Sequence, residues 1–547
     1  MIGRHLRRCC IAVCLIGAAA FGGSAPTDSS VRPDAAQLSR AAALPVHDLL
    51  RALDQLRADN RIPAYGIAIV SRDGPVLIDA RGSLPGLDAD SPFRVGSITK
   101  TFTALAMLRL AEQQQIDLDL PLHLDLSLKL ALRRAPMPQS LVRQLPQAPS
   151  PQARSRPEQA CQVLSLFDNP WERTDPITPA MLLEHTAGFG ELSPREWAYH
   201  DARPISLCEG LAVDATSRRS RWRPGTQHVY SNASPGLIAW LIEQRQAKPF
   251  ESFVQEAVLA PLQMANAGFL ETDRNAEQLV AGYKADGKTR IPYWHQHIHA
   301  YAALHASPRD MSKLLAVLLA DGAPLLTRVQ YERMLTPRTS LAARRGLRVG
   351  YGLGIYGSVR NGFLFYGHGG DADGYLARFG VLRDAGRAYF VVINTDNPPA
   401  LASFRDAIER WLTADLTAPL LATETRAPQA ASSAELSRYT GHYRRAASRF
   451  DQTPPRPMLR RASTKPATPP AGRLDLRVSL FAVEGHVRGL RLTGAVEATL
   501  LPTREPGQFR RSPEAIATSI FAEEHGELYL QGNLGNFIRT TASAHAP

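Results

Sequence analysis

The stretch that decides the interpretation of this sequence is Phe93-Arg-Val-Gly-Ser97-Ile-Thr-Lys100-Thr-Phe-Thr-Ala104. It predicts a turn followed by a helix that runs from Ser97 to Gln113. Ser97 and Lys100 are three residues apart, so both side chains share one face of the first helical turn. A serine hydroxyl is a weak nucleophile, and a nearby buried amine that accepts its proton makes it reactive. By itself, the same spacing is more often a serine N-cap followed by an exposed lysine.

Two further stretches supply the context that a Ser-x-x-Lys pair needs. The first is Tyr230-Ser-Asn232, on a loop before a helix predicted over 234–246. The second is His368-Gly-Gly370-Asp371, at the edge of a predicted block of strands. The phenol of a tyrosine can move a proton to or from an activated serine. The side-chain amide of an asparagine and the backbone groups of a strand edge can hold a carbonyl substrate beside that serine.

The three elements, in this order, resemble the serine β-lactamase and penicillin-recognising superfamily. The resemblance is strongest to the class C β-lactamase-related branch, which includes esterases and D-amino-acid peptidases. It covers about residues 40–412 and extends to three supporting stretches, namely Asn169-Pro-Trp-Glu172, Ile177-Thr-Pro-Ala-Met-Leu-Leu-Glu-His-Thr-Ala-Gly-Phe189 and Tyr351-Gly-Leu-Gly-Ile355. The implied fold is α/β (α+β), a β-lactamase/transpeptidase-like domain with a central antiparallel sheet and a helical subdomain.

The resemblance also implies a role for each residue of the first two elements. Ser97 would be the nucleophile and Lys100 its partner base. Tyr230 would be the proton shuttle, which helps to deprotonate Ser97 and then protonates the leaving group. Asn232 would hydrogen-bond Lys100 and the substrate. The implied reaction is the cleavage of an ester or amide through an acyl-enzyme.

The third element departs from the family pattern. His368 stands where many relatives carry lysine, and histidine is largely neutral near pH 7. Gly370 belongs to the substrate-binding strand edge, and the N–H of Asp371 would complete the oxyanion hole with that of Ser97. The carboxylates of Asp371 and Asp373 would repel the carboxylate that a penicillin presents to this edge. The sequence therefore favours an ester, or an amide or peptide lacking that anion.

Hydrophobic periodicity organises the rest of the chain. A helix is predicted over 36–58, a hairpin over 66–78, further helices over 250–258, 308–320 and 400–414, and strands over 363–366, 375–382 and 388–395. Residues 133–160 are predicted to be a surface insertion, and 451–472 a disordered loop. The predicted domains are a signal peptide (1–25), the hydrolase domain (36–414), a linker (415–433) and a small all-β domain (434–540) that resembles the β-barrel-like domains appended to this family.

The net charge of +12 over 547 residues is located in two places. Arg4, Arg7 and Arg8 contribute three charges, and residues 440–511 hold 14 Lys or Arg against 5 Asp or Glu. The main body is therefore neutral, and nucleic-acid binding is not predicted. A solvated basic face is the default for the C-terminal domain, with a weak contact to anionic envelope surfaces as the alternative left open.

The N-terminal 25 residues have a basic start, an apolar core from Cys9 to Phe21 and then small residues, which is typical of a secretory signal. We therefore expect an exported protein, periplasmic or secreted. Cys161 and Cys208 would remain after cleavage, either as a disulfide or as two buried thiols.

No cofactor and no metal are predicted. The alternating histidines at 295, 297 and 299 lack a cysteine or acidic neighbour, and no glycine-rich phosphate loop precedes a helix. The predicted partner is a small ester, amide or peptide substrate. Two alternatives remain, a β-lactamase or D-peptidase proper, and a catalytically idle binding protein of the same fold.

Overall fold

The computed structural model describes residues 45–122, 166–198, 205–269, 279–417, 432–446, 475–483, 486–503, 505–511 and 516–540. Within them, the central element is a six-stranded antiparallel sheet in the order β2-β1-β9-β8-β7-β6. Its strands are β1 (Ala64–Ser71), β2 (Gly74–Gly82), β6 (Tyr356–Arg360), β7 (Phe363–Ala372), β8 (Tyr375–Leu382) and β9 (Arg387–Ile393). A smaller sheet in the order β3-β5-β4 joins β3 (Phe93–Arg94), β4 (Gly268–Phe269) and β5 (Leu304–Ala306).

Helices cover both faces of the central sheet. In the described residues before the C-terminal barrel they are α1 (Val46–Asp59), α2 (Thr99–Glu112), α3 (Pro179–Leu183), α4 (Pro194–Trp197), α5 (Leu207–Ala212), α6 (Ser234–Gln246), α7 (Phe250–Val254), α8 (Pro308–Leu319), α9 (Arg328–Leu335), α10 (Leu341–Arg344) and α11 (Pro398–Thr413). One hydrophobic cluster includes α2, α6 and α8 together with one sheet face, and a second includes α1 and α11 with the other face. The site elements are thus held on a buried α/β frame.

The predicted elements are largely confirmed. The hairpin of β1 and β2, helix α6 and strand β8 match their predicted positions, and α1 covers the described part of the helix predicted over 36–58. One boundary is wrong, because Ser97 lies in a 3₁₀ turn (Gly96–Ile98) and the α-helix begins at Thr99. A second prediction is wrong in part, because α7 continues into a π-helix over Gln255–Leu259.

The C-terminal region is an all-β closed barrel. After α12 (Ser433–Ser437), its strands are β10 (Gly441–Arg445), β11 (Asp475–Val483), β12 (His486–Gly494), β13 (Ala498–Pro502), β14 (Gln508–Arg510), β15 (Ser519–Glu524), β16 (Glu527–Gly532) and β17 (Gly535–Arg539). The barrel encloses its own hydrophobic cluster. It also packs on the catalytic region, where Ile520 meets Ala342 and Leu347.

Several predicted segments lie outside the described residues: the signal peptide, the insertion at 133–160, the loop at 451–472, Cys161 and most of the linker. Cys208 is described and is disulfide-bonded. None of the helices in the described ranges is long and apolar enough to cross a membrane.

Candidate active site

Ser97 is held where the 3₁₀ turn crosses the end of β7. Gly96 has φ +52°, and a Cβ at this position would lie 2.7 Å from the amide nitrogen of Asp371. A Cβ on Gly370 would lie 1.7 Å from the carbonyl oxygen of Val95 and 3.1 Å from the amide nitrogen of Ser97. Glycine at both positions therefore lets the two backbones meet closely. The amide groups of Ser97 and Asp371 are brought to the same place, as an oxyanion hole requires.

Lys100 lies on the first turn of α2 with its ammonium group under Ser97. Its side-chain nitrogen Nζ is 3.0 Å from Ser97 Oγ, 2.7 Å from Asn232 Oδ1 and 2.8 Å from the carbonyl oxygen of Tyr301. Lys100 is only 2% exposed, whereas Ser97 is half-buried and lines the cleft. A lysine with three oxygen neighbours and almost no water is held in one place. The alternative interpretation, in which Ser97 is an N-cap and Lys100 is exposed, is therefore wrong.

Tyr230 and Asn232 lie on the loop before α6, as predicted. The loop is tied to the turn at His185, whose carbonyl accepts from Val229 N (2.8 Å) and whose Nδ1 accepts from Ser231 N (3.2 Å). The Tyr230 ring packs on the His185 ring at a centroid distance of 4.4 Å, and Lys100 Nζ lies 4.9 Å from the Tyr230 centroid. His185 thus supports the loop that carries the tyrosine.

His368 is buried, 3% exposed, beside Lys100 and Tyr351. Its Nδ1 donates to the carbonyl of Gly369 at 2.5 Å, because that oxygen can only accept. Its Nε2 therefore accepts from the hydroxyl of Tyr351 at 2.6 Å. Burial, with a further contribution from the Lys100 charge, lowers the pKa of His368 to about 3. The ring is neutral at physiological pH and presents no free donor nitrogen to a substrate.

Asp371 forms an ion pair with Arg378, which the expectation of two repelling acids did not include. Arg378 Nη1 lies 2.7 Å from Asp371 Oδ1, and both side chains line the cleft. Arg378 faces Gly369 across the β7–β8 pair, and a Cβ on Gly369 would lie 2.8 Å from its guanidinium. The Arg378 guanidinium therefore offsets part of the charge that was predicted to repel an anionic substrate, and Asp373 is the acid that this ion pair leaves in place.

The cleft has a volume of about 890 Å³. Ser97, Tyr230, Asn232, His368 and Asp371 line it, whereas Lys100 and Gly370 lie behind Ser97 and do not line the cleft. Apolar and aromatic side chains also line the cleft, among them Trp197, Ile291, Pro292, Trp294 and Tyr301. Such a lining suits a substrate with an apolar part.

The described residues offer no candidate metal site. They contain no group of three or more histidine, cysteine, aspartate or glutamate side chains that could hold a metal ion. Of the alternating histidines, His299 bonds Glu251 through Nδ1 at 2.7 Å, and His295 is buried.

Family comparison agrees with this arrangement. The profile of the family described as Beta-lactamase matches residues 49–414, so the chain belongs to this family of serine hydrolases. Over 183 residues it is 28% identical to a Bacillus subtilis (strain 168) protein described as penicillin-binding protein PbpX, covering 33% of this chain and 42% of the relative. Over 185 residues it is 27% identical to a human protein described as beta-lactamase-like 1, covering 32% and 35%. The chain thus matches less than half the length of either curated relative.

Solved structures show a similar fold. The crystal structure of SurE has a TM-score of 0.51 at 19% identity, covering 90% of this chain and 98% of that chain. SurE with D-Leu has a TM-score of 0.50 at 18% identity, covering 90% and 99%. At these identities the likeness concerns the fold alone.

Sequence reasoning missed two residues of the site, Arg378 and Tyr351. The turn signal Asp373-Gly374 would have found the first, because a tight hairpin there pairs Ala372 with Tyr375 and hence Gly369 with Arg378. In the sequence, Tyr351 stands out only as part of the supporting stretch Tyr351-Gly-Leu-Gly-Ile355. Its contact with His368 depends on how two separate segments pack.

Proposed function

We propose that this protein hydrolyses an ester or amide through an acyl-enzyme on Ser97, with Lys100 and Tyr230 as the proton-transfer groups. The observation that carries the proposal is the position of Lys100 Nζ, 3.0 Å from Ser97 Oγ and 2.7 Å from Asn232 Oδ1. At these distances Lys100 can accept the proton of Ser97 directly when its side chain is a neutral amine. Asn232 and the Tyr301 carbonyl hold the lysine in place while it acts.

The proposed reaction has two steps. In acylation, Ser97 Oγ bonds to the substrate carbonyl carbon and its proton passes to the Lys100–Tyr230 pair. The carbon–oxygen or carbon–nitrogen bond to the leaving group then breaks, and Tyr230 gives that group a proton. In deacylation, a water oxygen bonds to the same carbon, the Oγ–carbon bond breaks, and Ser97 regains its proton. The amide groups of Ser97 and Asp371 stabilise the oxyanion in both steps.

The substrate proposed first is an uncharged ester or amide with an apolar acyl group. The apolar and aromatic lining of the cleft supports the acyl part, and neutral His368 together with Asp373 disfavours an anion at the strand edge. The Arg378–Asp371 pair supports a second candidate, a carboxylate-bearing peptide or β-lactam, because the arginine offsets one of the two acids. Retention of Ser97, Lys100, Tyr230 and Asn232 in one site disfavours the idle binding protein.

The direct test is the mass of the intact protein after reaction with a fluorophosphonate probe. We expect one adduct on wild type and none on Ser97→Ala, with turnover of p-nitrophenyl acetate lost in the same variant. The melting temperature of Ser97→Ala should stay close to that of wild type, because Ser97 is half-buried in a short turn. Turnover that survives in purified Ser97→Ala would show that the nucleophile lies elsewhere.

We also propose that the protein is exported to the periplasm or the medium. The signal-like N-terminal sequence supports this, as does the disulfide bond of Cys208, since disulfides persist in oxidising compartments. Fractionation of cells expressing a C-terminally tagged chain tests it. Recovery of the full-length, uncleaved chain in the cytosol would exclude export. The proposed weak contact of the basic C-terminal domain with an envelope surface predicts co-sedimentation with anionic vesicles at low salt.

A further inference from the structure

A second cavity lies between the catalytic region and the barrel. Its volume is about 740 Å³, which is within the range of ligand pockets. Tyr230 and Tyr356 line both this cavity and the active-site cleft. These two tyrosines therefore form the boundary between the two spaces.

The barrel forms one wall of the cavity. The turn between β16 and β17 contributes Gly532, Asn533 and Gly535, and Arg445 at the end of β10 extends the wall. Gln531 fixes this turn against the catalytic region. Its side-chain amide accepts from Ala342 N and donates to the Thr226 carbonyl, both at 3.0 Å, and Gln531 is 2% exposed. The wall is therefore held in place rather than loosely apposed.

The cavity lies on the leaving-group side of the cleft, an assignment that rests on the function proposed above. In that mechanism Tyr230 protonates the leaving group, so the departing atom must lie against the Tyr230 hydroxyl. A leaving group that extends past Tyr230 next meets the second cavity. The volume is larger than one amino-acid residue needs, so it suits a leaving group of two or more residues.

The charges of the side chains that line the cavity favour an anionic group in it. Glu184 is the acid in its lining, but it is 1% exposed and its charge is compensated by Arg333 at 2.7 Å and by the amide groups of Arg338 and Thr339 at 2.8 Å. Arg445 is the cation of the lining. Its guanidinium carbon lies 5.9 Å from the Phe537 ring centroid, and no acidic side chain in the described ranges forms an ion pair with it.

We propose that this cavity is a subsite for an extended leaving group and that Arg445 binds a carboxylate at its end. The substrate class is an ester or amide whose alcohol or amine part is a short peptide with a free C-terminus. An arginine fork and a carboxylate form paired charge-assisted hydrogen bonds. The neutral amide of Asn533 in the same wall suits the peptide groups between the scissile bond and that carboxylate.

An achiral substrate series with one acyl group tests the proposal. The probes are hippuryl-glycolyl-Gly-Gly, its C-terminal amide, and methyl hippurate, which has no extended leaving group. In wild type we expect kcat/KM to be about fivefold higher for the free carboxylate than for the amide, the upper range of an exposed ion pair. Both extended probes should exceed methyl hippurate.

Three variants complete the test. Arg445→Gln should remove the preference for the carboxylate, and Arg445→Glu should invert it. Arg444→Gln is the matched control, since the neighbouring residue of a strand faces the other side, and it should keep the preference. Methyl hippurate turnover should be equal in all of them, which reports a folded, active enzyme.

Two results would overturn the subsite. One is a carboxylate preference that persists in Arg445→Gln, which would place carboxylate recognition elsewhere. The other is equal kcat/KM for all three probes in wild type. Failure of the proposed function is distinguishable from both, because it would appear as methyl hippurate turnover that is absent in wild type or persists in Ser97→Ala.

Discussion

The side-chain amide of Asn536 donates a 2.7 Å hydrogen bond to the main-chain carbonyl of His228, which lies 308 residues earlier in the chain. Gln531 makes a similar bond to the carbonyl of Thr226 at 3.0 Å. Both carbonyls belong to the loop that carries Tyr230 and Asn232. The barrel therefore supports one side of this loop, while the turn at His185 supports the other.

Loss of the Asn536 bond should slow catalysis more than it destabilises the protein. A displacement of about 1 Å in a catalytic group can cost about 100-fold in rate, so we expect Asn536→Ala to lower kcat at least about tenfold, with KM nearly unchanged. Asn536→Asp, which keeps the size but removes the donor, should behave similarly. The measurement is kcat and KM for p-nitrophenyl acetate, together with the pH profile of kcat.

Arg345→Ala is the control for this prediction. Arg345 Nη2 donates to the Glu523 carbonyl at 3.0 Å, across the same interface but away from the loop. We expect this variant to keep wild-type kcat and its pH profile. Equal kcat values in Arg345→Ala and Asn536→Ala would show that the Asn536 bond contributes only to the interface and does not position the Tyr230 loop.

Lys100 and Tyr230 should behave as one proton relay. Lys100→Ala and Tyr230→Phe should each slow acylation by about 100-fold or more, the usual scale of lost acid–base catalysis. The double variant should be little slower than the slower single variant, because residues that act as a unit are not additive. Single-turnover kinetics with a p-nitrophenyl ester measure the step. Multiplicative losses would show two independent roles.

The ion pair between Arg378 and Asp371 should set the tolerance for anionic substrates. We expect wild type to prefer short-chain esters to a chromogenic cephalosporin. Arg378→Gln should lower kcat/KM for the cephalosporin by about tenfold further, since unit charges 4 Å apart repel by up to about 4 kcal/mol at an effective dielectric of about 20. Ester turnover should change little.

Asp371→Asn added to Arg378→Gln separates charge from shape. If the freed carboxylate causes the loss, the double variant should recover most of the cephalosporin activity. A double variant as slow as Arg378→Gln would instead mean that the arginine acts by holding the strand edge. A wild type that already prefers the cephalosporin would contradict the ester preference.

Burial of His368 should make the folded state less stable in acid. The unfolded chain binds a proton at this residue below pH 6.5, whereas burial lowers the pKa in the folded state to about 3. The unfolded state therefore binds more protons between these values, and the free energy of unfolding falls as the pH is lowered through this window. At pH 5 the loss relative to neutral pH is about 2 kcal/mol for this residue.

Urea unfolding at pH 7 and pH 5 measures this effect. His368→Gln has no titrating ring at this position. Between pH 7 and pH 5 its free energy of unfolding should therefore fall by about 2 kcal/mol less than that of wild type. Other groups titrate equally in both proteins and cancel in the comparison. Equal losses would mean that His368 is solvated in the folded protein.

Local spacing alone determined much of this protein. A separation of three residues predicts that Ser97 and Lys100 share one face of a helical turn, and only the turn type was wrong. The loop before α6 and the hairpin of β1 and β2 also follow from short-range signals. These features depend on backbone geometry within a few residues, which the order of amino acids specifies directly.

Tertiary structure decided which charges and hydrogen-bond partners meet. Lys100 reaches Asn232 over 132 residues, and Arg378 neutralises Asp371 only because β7 and β8 pair in one register. The contact of Asn536 with the Tyr230 loop depends on how the barrel packs on the catalytic region. Composition and spacing carry no signal for the contact of Lys100 with Asn232 or of Asn536 with this loop, since burial and interdomain packing are set by the whole chain at once.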